Sequence, residues 1–195
     1  LIILGRGPHN NLNDDNDIEG VPVEENAQYG GDDPFDNSGR LRFVSIRHGG
    51  SELKADEEIN GLTLGAVGAG TTISFIEVFA NDDDGVEWFG GNVDTKNMVV
   101  AYCSDDSYDM DEGFSGQGQF WVAITDTDSD NFGEHDGGPS SNRYGEPFAT
   151  PIQSNVTYIG PGVTANERTL TLRQFWGGQY HNSIFADQGK GIRVD

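Results

Sequence analysis

Gly61-Leu62-Thr63-Leu64 returns as Gly85-Val86-Glu87-Trp88, 24 residues further along the chain. At the same offset Thr71 falls on Thr95, Phe75 on Val99, Ile76 on Val100 and Val78 on Tyr102, and the polar pair Asn81-Asp82 falls on Asp105-Asp106. One further step carries Val86 to Met110, Met98 to Val122 and Val100 to Ile124, with a one-residue slip near Gly116. Phe185-Ala186-Asp187 followed by Gly191-Ile192-Arg193-Val194 repeats the scheme of Phe79-Ala80-Asn81 followed by Gly85-Val86-Glu87-Trp88, and Leu41-Arg42-Phe43-Val44-Ser45-Ile46 reads as an upstream copy.

Each unit holds short strands of alternating character, such as Ile73-Ser74-Phe75-Ile76-Glu77-Val78, bounded by Gly, Asn and Asp. Strands repeated at a fixed period with no helical segment between copies exclude a βαβ arrangement and fit one turn of a solenoid. The reading is all-β: a right-handed parallel β-helix with rungs of about 24 residues, each burying a column of Val, Ile, Leu and Phe. A hairpin sandwich is the competing architecture, and two-residue hairpin signals are scarce. Residues 1–195 are read as a single β-helix domain and as part of a longer chain, interrupted by long loops at about 5–39 and 125–151. Leu1-Ile2-Ile3-Leu4 and Ile192-Arg193-Val194-Asp195 read as solenoid strands without caps, so self-association through the β-helix ends is expected.

The formal charge is -22, from 33 acidic against 11 basic residues. Such a surface repels phosphate backbones and anionic headgroups, which argues against nucleic acid and direct membrane insertion as partners. The same excess makes a divalent cation, Ca²⁺ above all, a natural partner. The 11 Phe, 6 Tyr and 3 Trp fall inside strand-like runs, which excludes a disordered chain. The single cysteine, Cys103, excludes an intramolecular disulfide and reads as a buried small apolar residue.

The acidic turns carry the strongest chemical signal. Asp82 and Asp83 are expected one rung from Asp105 and Asp106, with Asp109 close behind, and stacked carboxylates repel unless a cation bridges them. The other reading of these residues is a solvated turn held by Asp and Asn side chains. Asp126, Asp128 and Asp130 alternate like the start of a calcium loop, but Asn131 stands at the expected Gly and Gly137 at the expected Glu of an EF-hand. Asp14-Asp15-Asn16-Asp17 is a further acidic cluster with less regular spacing.

For catalysis the candidates are Glu134, His135 and Asp136, because an imidazole flanked by carboxylates can exchange protons near neutral pH. Arg143, Arg168 and Arg173 are the cations available to a lyase. Trp88, Trp121 and Trp176 are candidates for stacking against sugar rings, against the alternative that they are core.

Asp36-Asn37-Ser38-Gly39, Ser45-Ile46-Arg47-His48-Gly49-Gly50, Glu58-Ile59-Asn60-Gly61-Leu62-Thr63-Leu64 and Asp83-Asp84-Gly85-Val86-Glu87-Trp88-Phe89-Gly90-Gly91 together resemble a family of bacterial surface proteins. Asp105-Asp106-Ser107-Tyr108-Asp109, Gly116-Gln117-Gly118-Gln119-Phe120-Trp121, Gly133-Glu134-His135-Asp136-Gly137-Gly138 and Asn182-Ser183-Ile184-Phe185 extend the likeness over nearly the whole chain. Its members are lipoproteins or cargo of the type IX secretion system. The resemblance implies a parallel β-helix that is extracellular or on the outer cell surface of a bacterium, and it brings no settled catalytic residues. The expected function is a scaffold or adhesion module, Ca²⁺-stabilised, presenting loops to carbohydrate or a surface protein. The alternative is a carbohydrate-active enzyme, a polysaccharide lyase or hydrolase built on the same fold.

Overall fold

The computed structural model describes residues 1–12, 17–18, 21, 27–51 and 58–195. In chain order the strands are β1 (Ile2–Leu4), β2 (Arg40–Arg47), β3 (Leu62–Gly65), β4 (Thr72–Phe79) and β5 (Val86–Phe89). They continue with β6 (Thr95–Ala101), β7 (Tyr108–Asp111), β8 (Gln117–Ile124), β9 (Glu134–Asp136) and β10 (Ile152–Ser154). The last five are β11 (Thr157–Ile159), β12 (Arg168–Arg173), β13 (Gln179–His181), β14 (Ile184–Ala186) and β15 (Lys190–Val194). Among the described residues no helix is long and apolar enough to cross a membrane.

All strand pairs are parallel, in two sheets that the chain visits alternately. One sheet runs β1-β3-β5-β7-β9-β12-β15; the other runs β13-β10-β8-β6-β4-β2, with β11 and β14 continuing it beside β8. Alternation between two stacks of parallel strands is a right-handed parallel β-helix, as the repeat implies.

The rung is not constant. Leu62 pairs with Val86 at the expected step of 24, but Val86 pairs with Tyr108 and Ile76 with Met98, each 22 residues on. Met98 then pairs with Trp121, 23 on, rather than with Val122. The sequence matches of Val86 to Met110 and Ile76 to Val100 are therefore two residues out of register. A second correction concerns residues 125–151, because β9 lies inside that stretch and continues the first sheet. The described parts of 5–39 hold no strand beyond an isolated Asp17–Gln28 bridge.

Left-handed residues stack where the chain turns between faces. Phe43, Phe75, Asn97, Phe120, Asn155 and Asn182 have φ between 48° and 59° and occupy one column inside the second sheet. β8 runs through this corner, whereas β10 and β11 stop on either side of Asn155. Two more columns, one through His48, Ala80 and Tyr102 and one through Ala66, Gly90 and Glu112, form the other corners.

The residues between the sheets are apolar and largely aromatic. Trp88 stacks on Trp121 at 5.2 Å, Tyr108 on Trp121 at 4.7 Å and Tyr108 on Tyr158 at 5.5 Å, all of them fully buried. Each such side chain contributes roughly 1.5–3 kcal/mol by leaving water. Segment 5–10 crosses the rungs along the third corner. Gly5 N donates to Gly65 O, Gly91 N to Pro8 O, Asn10 N to Glu112 O, and Asn10 Nδ2 to Gly137 O.

Candidate metal centre

In the first sheet strand alternation sends Val86, Trp88, Tyr108, Met110 and His135 inward. Their neighbours Glu87, Asp109 and Glu134 point outward and share one column across β5, β7 and β9. The turns that feed these strands stack as well. Asp84 Oδ1 accepts from Asp106 N at 2.9 Å, Asp106 Oδ1 accepts from Asn131 N at 2.6 Å, and Asn131 Oδ1 accepts from Arg168 N at 3.1 Å. Each acidic side chain thus caps the turn of the next rung, so Asp84 and Asp106 are buried as a consequence of the fold.

Turn column and strand column converge on a cavity of about 350 Å³. Asp83, Asp84, Asp105, Asp106 and Asp130 line it from the turns, and Glu87, Asp109 and Glu134 from the strands. Glu58 and Asn60 complete the wall, and Asn60 Nδ2 donates to Glu87 Oε2. Three carboxylate triads, Asp83/Asp84/Asp105, Asp84/Glu87/Asp109 and Asp105/Asp106/Asp130, each bring one oxygen per residue within 4.8 Å of the others. The donors are all hard oxygens, and His or Cys is missing from the lining, which fits Ca²⁺ with its six to eight oxygen ligands.

Burial drives the electrostatics. Asp84 and Asp109 titrate well above the usual carboxylate range because they are buried and because each faces several other carboxylates. Asp106 is raised for the same two reasons, burial first and Asp105 second. Asp130 is pushed to about 6 by burial, then by Glu167 and Asp105. Arg173 is the counter-charge at the rim: its guanidinium donates to Glu134 and, at 2.8 Å, to Asp136 Oδ1.

Of the sequence candidates for metal, Asp83, Asp105, Asp106, Asp109 and Asp130 come together here. Asp82 is exposed and outside the cavity. Asp126 and Asp128 sit in an exposed turn of their own, where Asp126 Oδ1 accepts from Asp128 N at 3.0 Å, so they join no shared centre with Asp130. Asp14, Asp15 and Asn16 lie outside the described residues. The sequence reading missed Asp84, Glu87, Glu58 and Asn60. The signal for Asp84 was present, since Asp84-Gly85-Val86 aligns with Asp106-Ser107-Tyr108 once the step is 22.

The side chains of Glu134, His135 and Asp136 do not converge. Alternation along β9 puts the carboxylates outside and the imidazole inside, fully buried, stacked on Trp176 at 5.1 Å with Nε2 2.7 Å from Tyr180 Oη. Burial pulls its pKa down to about 4. Trp88 and Trp121 are fully buried and offer no face to a sugar; Trp176 is half-buried with its ring against His135.

Fold and site define a class: a parallel β-helix whose outer face carries a carboxylate-rich cavity over several rungs. The chain belongs to the pectate-lyase-like β-helix domain family, whose model matches residues 1–195. Neither a curated protein nor a solved structure matches it.

Proposed function

We propose that this chain is a Ca²⁺-stabilised β-helix scaffold or adhesion module, extracellular or on the outer surface of a bacterium, presenting its surface to carbohydrate or protein and associating with copies of itself through its ends. The observation that carries the reading is the cavity lined by Asp84, Asp106, Asp109 and their neighbours, where carboxylate triads converge and, among the described residues, no cationic side chain lines the wall. Self-repulsion on this scale is relieved by a bound divalent cation. The family's name carries a lyase, and a lyase centre calls for an Arg or Lys base beside its metal. Here the rim cation, Arg173, is engaged by Glu134 and Asp136, which favours a structural ion over lyase chemistry.

Thermal unfolding with Ca²⁺ and then with excess chelator, alongside elemental analysis, tests the proposal. Bound calcium and a melting temperature that falls by several degrees on chelation are expected; an unchanged melt with no bound metal overturns it.

One observation favours the second reading, a carbohydrate hydrolase. Asp109 and Asp105 share one cavity, Asp109 behind the more accessible Asp105, and burial raises both, so the cavity offers a carboxyl acid beside a second carboxylate. Release of reducing ends from polygalacturonate or a neutral glycan, abolished by Asp109→Asn, would establish that reading in place of the scaffold.

A further inference from the structure

The corner column of the second sheet alternates in an unexpected way. Asn occupies it in three rungs, as Asn97, Asn155 and Asn182, and Asn tolerates the left-handed conformation well. Phe occupies it in the other three, as Phe43, Phe75 and Phe120, with φ of 58°, 57° and 59°. A bulky side chain is disfavoured there, and these rings do not repay the strain by joining the core: Phe43 is 73% exposed, Phe75 42% and Phe120 45%.

The arrangement leaves a notch. Phe43 and Phe75, one rung apart, stack at 4.7 Å and 13°, which covers one face of the Phe75 ring. The next rung carries the small Asn97, and Phe120 stands on the rung after that. Phe75 and Phe120 are therefore two rungs, roughly 9.6 Å, apart along the axis. With ring contacts of about 3.5–4 Å on either side, that gap takes one six-membered ring. The space between measures about 320 Å³, with Val99 and Val122 among its floor residues and Asn97 and Glu77 adding polar groups. Arg42 and Lys96 flank it, Arg42 5.5 Å from the Phe75 centroid and Lys96 5.1 Å from that of Phe120.

We infer that this notch binds one pyranose ring of a neutral glycan. Sugar C–H faces match the two phenyl rings, while the Asn97 amide, beside a Glu77 carboxylate that already accepts from Ser45 and Arg47, can hydrogen-bond an equatorial hydroxyl. A planar aromatic ligand leaves that amide unmatched. A cation meets Arg42 and Lys96, and a polyanion meets a molecule of charge -22. The site lies on the second sheet, away from the carboxylate cavity, and stands independently of the cation.

The test uses the full chain in calcium-containing buffer and isothermal titration with cello-, xylo- and mannohexaose, with polygalacturonate as the acidic comparison. Binding of at least one neutral hexaose is expected, weakened about tenfold or more by F75N and by F120N and abolished by N97F, which fills the gap with a third ring. Asn already occupies this corner in neighbouring rungs, so the first two variants keep the fold, checked by circular dichroism. Failure of all three neutral hexaoses, binding of polygalacturonate alone, or binding that survives F75N and F120N overturns the inference.

Discussion

At the scale of single residues the molecule contains side chains in places that cost it stability. A Phe held in the left-handed region costs on the order of 1–3 kcal/mol. The Phe120 ring is half exposed and stacks on none of the aromatic rings among the described residues, so Phe120→Asn has little packing to lose. The variant is expected to melt several degrees higher, at about 2–4 °C per kcal/mol for a chain of this length, measured by calorimetry. His135 works in the opposite sense to a surface histidine. Its folded pKa of about 4 lies below the ordinary value of 6.5, so the unfolded state binds its proton first. Its contribution is complete above pH 6.5 and is lost as the pH falls towards 4. His135→Gln keeps a partner for Tyr180 and is expected to remove that loss, so that urea unfolding of variant and parent converges between pH 7 and pH 4.5. Why the sequence misled here is instructive. Glu134-His135-Asp136 lacks β-branched or aromatic residues, so nothing marked it as a strand, and without the strand's two-residue period its three side chains read as neighbours.

Strands and turns set the next scale. The repeat was legible because Gly61-Leu62-Thr63-Leu64 and Gly85-Val86-Glu87-Trp88 share a true step of 24. From β4 to β6 and from β5 to β7 the matching slipped by two residues, an error that alternation cannot expose, since it leaves every inward residue inward. The slip placed Asp82 where Asp84 belongs, which is why half of the carboxylate cavity was legible and the buried Asp84 was not. Asp84 also supplies the sharpest test of the site. Its folded pKa is raised, so in the absence of a cation it opposes folding increasingly as the pH rises above the unfolded value, and Asp106 and Asp109 add to the same trend. Several carboxylates outweigh the single His135, so the metal-free chain is expected to be more stable at pH 5 than at pH 7.5. Asp84→Asn retains an oxygen for the Asp106 N–H and removes a charge. At pH 7.5 it is expected to stabilise the chelator-treated protein by on the order of 1 kcal/mol or more, and to weaken Ca²⁺ binding about tenfold or more. A variant that loses stability with and without calcium would assign Asp84 to the turn alone.

Over the whole molecule, the carboxylate cavity sits outside the middle rungs of the first sheet, while cations stand on both sheets. Arg40, Arg42, Arg47 and Lys96 are on the second, where Arg47 pairs with Glu77, and Arg168, Arg173, Lys190 and Arg193 are on the last two strands of the first. The overall architecture was readable because a solenoid repeats its signal; the placement of charge was not, because it depends on which residues of each rung face outward. Every copy carries a charge of -22, and this like charge opposes stacking of copies. Sedimentation velocity is expected to show association that grows with salt as this repulsion is screened, and a single monomeric boundary at every ionic strength would count against end-to-end assembly.

The steps between paired strands, 22 to 25 residues through the central rungs, also fix the order in which the chain can acquire structure during synthesis. A rung can settle on its predecessor almost as soon as it clears the ribosome, with little loop closure to offset. β1 is the exception: Ile2 pairs with Thr63, so this strand must wait for more than sixty residues before its partner exists. β1 therefore stays unpaired through a stretch of synthesis more than twice as long as the one that separates neighbouring central rungs.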